Sequence, residues 1–268
     1  MKNPVGPVVL VTGANRGLGL AFVQELNKLS SVEYIFACCR TPSKANELNK
    51  LAENNLKIHI LKLDVENDDD LKEAVKSVEK VLNGKGLNVL INNAAMLTES
   101  GAEYKNADRK ILQQHMSESG AEYKNADRKI LQQHMSVNIV GPICVTSAFL
   151  HLLQKESDKE KPSLIVNISS DNGSIKDAIH LGTAWGNIAY GITKAGLNQY
   201  TRYMSMNECN NHIVTISVHP GWLRTDMGTS AAPLSVEEGA NSVILTLQKI
   251  TINDNGRFMD RHGKDMNF

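Results

Sequence analysis

Six stretches of the chain are predominantly apolar: Val8 to Val11, Tyr34 to Cys39, Lys57 to Leu63, Leu87 to Ile91, Leu164 to Ile168 and Ile213 to Val218. Short apolar runs bounded by polar segments predict buried strands, and the segments between them carry apolar residues at helical spacing. One such helix is legible in detail. Asn67 and the acids Asp68, Asp69 and Asp70 precede Leu71, Val75, Val78 and Leu82, so negative charge sits at the helix start and an apolar stripe follows. A second, SVEEGANSVILTLQKI, places Glu237 and Glu238 in its first turn and is expected to be structural. Strands alternating with helices predict a doubly wound parallel sheet covered on both faces. A short seventh strand, Arg257 to Met259, is expected to close one edge.

Interrupting this alternation, Glu99 to Ser117 and Glu118 to Ser136 carry the same 19 residues, ESGAEYKNADRKILQQHMS. Two identical copies do not make a solenoid, which needs at least three units. Inside one continuous helix, 19 residues overshoot whole turns by about 100°, turning the buried stripe off its face. One copy must therefore loop out or form an extra surface helix. The second copy runs directly into VNIVGPICVTSAFLHLL and is expected to supply the helix, with the first copy as the insertion.

Length narrows the organisation: 268 residues suit one domain, 1–268, with the duplication at 99–117 and 118–136 inside it. A formal net charge of zero supplies no field that favours nucleic acid or an anionic membrane, and points to a small-molecule partner. No run approaches 18 consecutive apolar residues, and the strand-like VVLV follows within seven residues of Met1, so neither a membrane span nor a signal peptide is expected and the protein is expected in the cytoplasm. Cys38, Cys39, Cys144 and Cys209 show no metal spacing; three are expected to be buried fillers and none a nucleophile. His115 and His134, the same residue of the two copies, are expected to be solvated rather than metal ligands.

Candidate chemistry begins where the first strand ends. Thr12-Gly13-Ala14-Asn15-Arg16-Gly17-Leu18-Gly19 precedes the helical AFVQELNKL, the pattern of a glycine turn whose backbone N–H groups meet a dinucleotide pyrophosphate at a helix N-terminus. The second strand ends Cys38-Cys39-Arg40 with no acid to take a ribose 2′-hydroxyl, so Arg16 and Arg40 are read as a clamp for the 2′-phosphate of NADP(H); the competing reading is two solvated surface arginines. Farther on, Tyr190 and Lys194 share one helix face, and an ammonium beside a phenol favours the phenolate. Upstream, Ser169 and Ser170 end a strand; one is a candidate donor to a substrate carbonyl and the other a strand-end cap. Trp185 and Trp222 flank these features and fit either a substrate pocket or the core.

Taken in order, these pieces resemble the short-chain dehydrogenase/reductase family over nearly the whole chain: TGANRGLG, Asp64-Val65, Asn92-Asn93-Ala94-Ala95, Asn138, Ser170, YGITK, and Pro220-Gly221 with Thr225. The NISS segment and HPGWLRTDMG are similar to the C-factor and sniffer-like carbonyl reductases. The resemblance implies a single-domain Rossmann-type fold and NADPH-dependent reduction of a ketone, aldehyde or quinone. It implies that Ser170 orients the carbonyl, that Tyr190 donates the proton, and that Lys194 binds the nicotinamide ribose and lowers the tyrosine pKa. Asn138 would hold a water of the proton relay. Gly13, Asn15, Arg16, Gly17, Leu18 and Gly19 would cradle the cofactor with Arg40, Asp64 and Val65. Asn92 and Ala94 would line its adenosine side, while Pro220, Gly221, Leu223 and Thr225 would lie at its nicotinamide end. The family often pairs through the long helices, which implies a homodimer.

Two departures stand out. Ala95 replaces the usual glycine, and the duplicated segment lengthens the stretch between Asn92 and Asn138. The competing reading from another class is a non-catalytic NADP(H)-sensing or interaction protein whose site mouth the duplication has remodelled.

Overall fold

A computed structural model describes residues 3–97, 127–178 and 188–268. All seven expected strands are present: β1 (Val8–Thr12), β2 (Tyr34–Cys39), β3 (Ile58–Lys62), β4 (Val89–Asn92), β5 (Ser163–Ile168), β6 (Ile213–His219) and β7 (Phe258–Asp260). They form one sheet in the order β3-β2-β1-β4-β5-β6-β7, and every neighbouring pair is parallel. Parallel pairing requires a crossover between successive strands, supplied here by α1 (Gly17–Asn27), α2 (Asn46–Ala52), α3 (Asp68–Leu82), the paired helices α4 (Arg128–Met135) and α5 (Gly141–Glu156), α6 (Ile188–Asn207) and α7 (Val236–Leu247).

Because successive side chains of a strand point to opposite faces, the sheet divides the core in two. Val9 and Val11 of β1 meet Leu20, Phe22 and Leu26 of α1 and Val243 and Leu247 of α7. Val8 and Leu10 meet Leu71, Val78 and Leu82 of α3 and Phe149 and Leu153 of α5. The α3 start is closed as its sequence implies: the Asn67 side chain accepts hydrogen bonds from the backbone N–H groups of Asp69 and Asp70. At α7, Ser235 and Glu238 form a reciprocal capping box.

Residues 128–136 of the second repeat copy are helical, capped by Asp127, and run through a π-type turn at Ser136–Val140 straight into α5. The first copy lies outside the described residues. The stretch Arg128–Glu156 is long and apolar enough to cross a membrane, with a mean hydropathy of 1.6 over its most apolar window. Its apolar character has a local cause, since Val145, Phe149, Leu152 and Leu153 are buried in the core beneath the sheet.

Two expectations are corrected. Cys38 and Cys39 are buried but Cys144 is half-buried and Cys209 exposed, so two rather than three cysteines are core fillers. His134 is buried rather than solvated, its Nδ1 2.9 Å from the Ile130 carbonyl oxygen. His115 lies outside the described residues.

Candidate active site

The strand order reverses direction between β1 and β4, and in a doubly wound sheet the crevice outside the carboxyl ends at that point is where a dinucleotide is held. The turn after β1 is built for such a ligand. Gly13 (φ 66°) and Gly17 (φ 53°) occupy the left-handed region, and a β-carbon on Gly19 would lie 2.1 Å from the Gly13 carbonyl oxygen. At the start of α1, Arg16 supplies no side-chain cap and the first turn holds no acid. The N–H groups there and the positive end of the helix dipole are left for an anion, so these residues fit a pyrophosphate. Leu18 packs toward the core and shapes this turn from behind.

The turn is tied to the end of β4 through Thr12 and Asn93, motif residues to which the sequence pattern gave no role. Thr12 Oγ1 accepts from the backbone N–H groups of Asn93 and Ala94, both at 3.0 Å, and Asn93 Nδ2 donates to the Thr12 carbonyl at 2.9 Å. Asn92, expected to line the adenosine side, turns its side chain the other way: it is buried, and Nδ2 donates to Thr146 Oγ1 (3.0 Å) and Asn167 Oδ1 (2.9 Å). Alternation along β4 is the cause, since one of two successive asparagines must face away from the crevice. Ala94 remains on the crevice side, its Cα 2.9 Å from where a Gly13 β-carbon would sit.

Arg40 is exposed just beyond β2, and Asp64 and Val65 follow β3. Val65 packs on Gly141, where a β-carbon would come within 2.8 Å of its Cγ2. Arg16 is exposed but engaged, with Nη1 2.7 Å from Asp226 Oδ2. That pair reaches from the glycine turn to the segment after β6, and Thr225 of the same segment stands 3.6 Å from a β-carbon position on Gly17. Pro220 is buried and Gly221 adopts φ 92°, so the chain leaving β6 turns sharply there. Leu223, expected at the nicotinamide end, has its side chain buried against Gly239 of α7, so it is the Leu223 backbone that is left to meet a cofactor there. Trp222 is 39% exposed and its Nε1 donates to the Gly228 carbonyl, whereas Trp185 lies outside the described residues.

At the carboxyl end of β5 the remaining candidates converge. Ser169 is the structural one: it is buried and its Oγ donates to Asn198 Oδ1 at 2.7 Å. Ser170 is buried, lies close enough to the Tyr190 phenol for its hydroxyl to lower that group's pKa, and caps the short turn at Asp171–Gly173. Lys194 lies 2% exposed, its Nζ donating to the Ile168 carbonyl at 2.7 Å and standing 5.3 Å from the centre of the Tyr190 ring. Burial pushes its amine down to about 7. The phenol moves opposite to the sequence expectation: burial and then the Asp171 charge hold Tyr190 above its usual range, against the Ser170 hydrogen bond, and so keep it protonated.

Asn138 is fully buried in the π-type turn and is held from three sides. Its Oδ1 accepts from the Met96 N–H (2.8 Å), and its Nδ2 donates to the Met96 carbonyl (2.9 Å) and to Thr193 Oγ1 (3.1 Å). Thr193 in turn donates to the Tyr190 carbonyl at 2.7 Å. The Asn138 side chain thus ties the segment after β4 to the tyrosine helix.

Comparison with known proteins agrees with this geometry. The chain is 28% identical over 280 residues to an oxidoreductase of Schizosaccharomyces pombe, covering 98% of both proteins. Among solved structures it is similar to the NADPH-bound carbonyl reductase from chicken fatty liver, with 34% identity, a TM-score of 0.85 and coverage of 98% of this chain and 99% of that one. It is likewise similar to the carbonyl reductase Sniffer of D. melanogaster, at 32% identity and a TM-score of 0.84, again over 98% and 99% of the two chains. Residues 7–234 match the model of the short chain dehydrogenases, and with the crevice, the glycine turn and the Ser-Tyr-Lys cluster in place the chain belongs to that family of oxidoreductases.

Proposed function

We infer that the protein reduces the carbonyl of a small ketone, aldehyde or quinone at the expense of NADPH, with Tyr190 as proton donor. The observation that carries this reading is the convergence of Ser170, Tyr190 and Lys194 beside the crevice that the glycine turn opens. NADPH, when bound, supplies the hydride. The 2′-phosphate falls to Arg40 and Arg16, the latter exchanging Asp226 for the phosphate, and the pyrophosphate falls to the start of α1. Residues 1–268 act as one such cytoplasmic domain.

On the protein side the step is a proton transfer under electrostatic control. The protonated phenol of Tyr190 gives its proton to the oxygen that gains charge, and Ser170 holds that oxygen in place. Lys194, fixed by the Ile168 carbonyl, stands beside the ring where an ammonium stabilises the phenolate left behind, and its lowered pKa lets it pass a proton on near neutral pH. Asn138 and Thr193 hold the tyrosine helix in register, and the relay to solvent passes at that helix turn.

The test is NADPH consumption with a panel of quinones, aldehydes and ketones. Tyr190→Phe is expected to lower kcat about 10³-fold, in the range of lost acid–base catalysis, while NADPH binding by fluorescence stays within error. Full activity in Tyr190→Phe overturns the assignment.

A further inference from the structure

The residue that follows the site serine is an aspartate, and it is bound to the site at both ends. Asp171 Oδ1 accepts the Ser170 hydroxyl proton at 2.9 Å, and its backbone N–H donates to His219 Nδ1 at 3.3 Å. His219 Nε2 stands 3.9 Å from Asp171 Oδ2, so one imidazole meets both the backbone and the carboxylate of the same residue. Since Nδ1 accepts, the neutral ring carries its proton on Nε2, facing the carboxylate. Burial holds His219 below its usual pKa despite Asp171 and Asp260, with Arg261 acting in the same direction as burial. The ring is therefore mostly neutral near pH 7 and does not cancel the Asp171 charge. Among the described residues, no lysine or arginine lies within ion-pair distance of Asp171.

A charge so placed acts on whatever carbonyl enters. A serine hydroxyl has one proton, and Asp171 already holds it, so an incoming carbonyl oxygen competes with the carboxylate for Ser170. A carbonyl oxygen in hydrogen-bond contact with Ser170 lies within about 6 Å of Asp171, two hydrogen-bond lengths. With 42% of its side chain exposed, Asp171 keeps its carboxylate in contact with solvent beside Ser170.

We propose that Asp171 is a specificity-determining residue that excludes substrates carrying a negative charge near the reacting carbonyl and admits neutral or cationic ones, with His219 as the residue that positions it. The proposal rests on the reductase reading above and names the substrate class of that same site. It also accounts for the network around His219, which holds a negative charge one hydrogen bond from Ser170.

The experiment compares 3-formylbenzoate, its methyl ester and 3-(trimethylammonio)benzaldehyde with the full-length enzyme and NADPH at low ionic strength. For the wild type, kcat/KM is expected in the order cation, ester, anion. In Asp171→Asn the anion-to-ester ratio should rise about tenfold and the cation-to-ester ratio fall, as a like charge at this range implies; both changes should shrink at high salt. Asp171→Glu keeps the charge and should restore the wild-type order, which a merely structural role for Asp171 does not require. A wild type that reduces the anion as well as the ester overturns the proposal without any variant, and so does Asp171→Asn with unchanged ratios. If the wild type reduces none of the three, nor any of the quinone and ketone panel, the reductase reading falls and this proposal with it.

Discussion

Lys194 offers a quantitative test of the site's electrostatics that needs no substrate. The residue is 2% exposed and its amine is pushed down to about 7, whereas in the unfolded chain it titrates near 10.4. Between those values the folded protein binds fewer protons than the unfolded one, so stability rises with pH through that window and the cost of the buried lysine is greatest at and below pH 7. Integrating a single site between pH 7 and pH 9 assigns the wild type a gain of about 2 kcal/mol, an order-of-magnitude figure. Lys194→Met keeps the length of the stem and removes the titration. Urea unfolding of the cofactor-free proteins at pH 7, 8 and 9 yields two slopes, and contributions from cysteines and histidines cancel in their difference. The wild type is expected to gain about 2 kcal/mol more than Lys194→Met over this range. Equal slopes would refute the reasoning, because they mean that the amine is not desolvated where the Ile168 carbonyl holds it.

Two further outcomes follow from the crevice. Arg40→Ala is expected to weaken NADPH about tenfold while leaving NADH nearly unchanged, since an exposed guanidinium paired with a 2′-phosphate is worth on the order of 1–2 kcal/mol; titration of both cofactors checks this, and equal weakening of both would remove Arg40 from the phosphate site. Gly19→Ala sets a β-carbon 2.1 Å from the Gly13 carbonyl oxygen, and the shift it forces should abolish the rise in melting temperature that NADPH produces in the wild type, measured by thermal denaturation with and without cofactor.

Much of this architecture is legible without coordinates, and particular residues show why. Strand positions follow from local apolar runs, and the start of α3 follows from Asn67, whose side chain can reach only N–H groups of its own turn. Tyr190 and Lys194 come together because a helix alone puts them on one face. What local pattern leaves open has a different cause. Asn92 and Asn93 are the same residue type side by side, and only the pairing of β4 between β1 and β5 decides which faces the crevice. Leu223 carries no local mark of its burial against α7, and Asp171 and His219 lie on separate strand ends that meet because β5 pairs with β6. A polar residue just after the site serine, and a histidine just before Pro220-Gly221, were the available signals; neither names its partner.

Local pattern alone therefore determined the seven strands, the parallel winding, the glycine turn and the Tyr-Lys helix face, because hydrophobic period, turn chemistry and helical spacing act over a few residues. Tertiary structure alone decided which side chains reach the crevice, that Thr12 and Asn93 brace it, that Asp171 and His219 meet beside Ser170, and that Tyr190 is held protonated. Those outcomes depend on desolvation and on charges brought close from distant parts of the chain, and neither exists until the sheet is assembled.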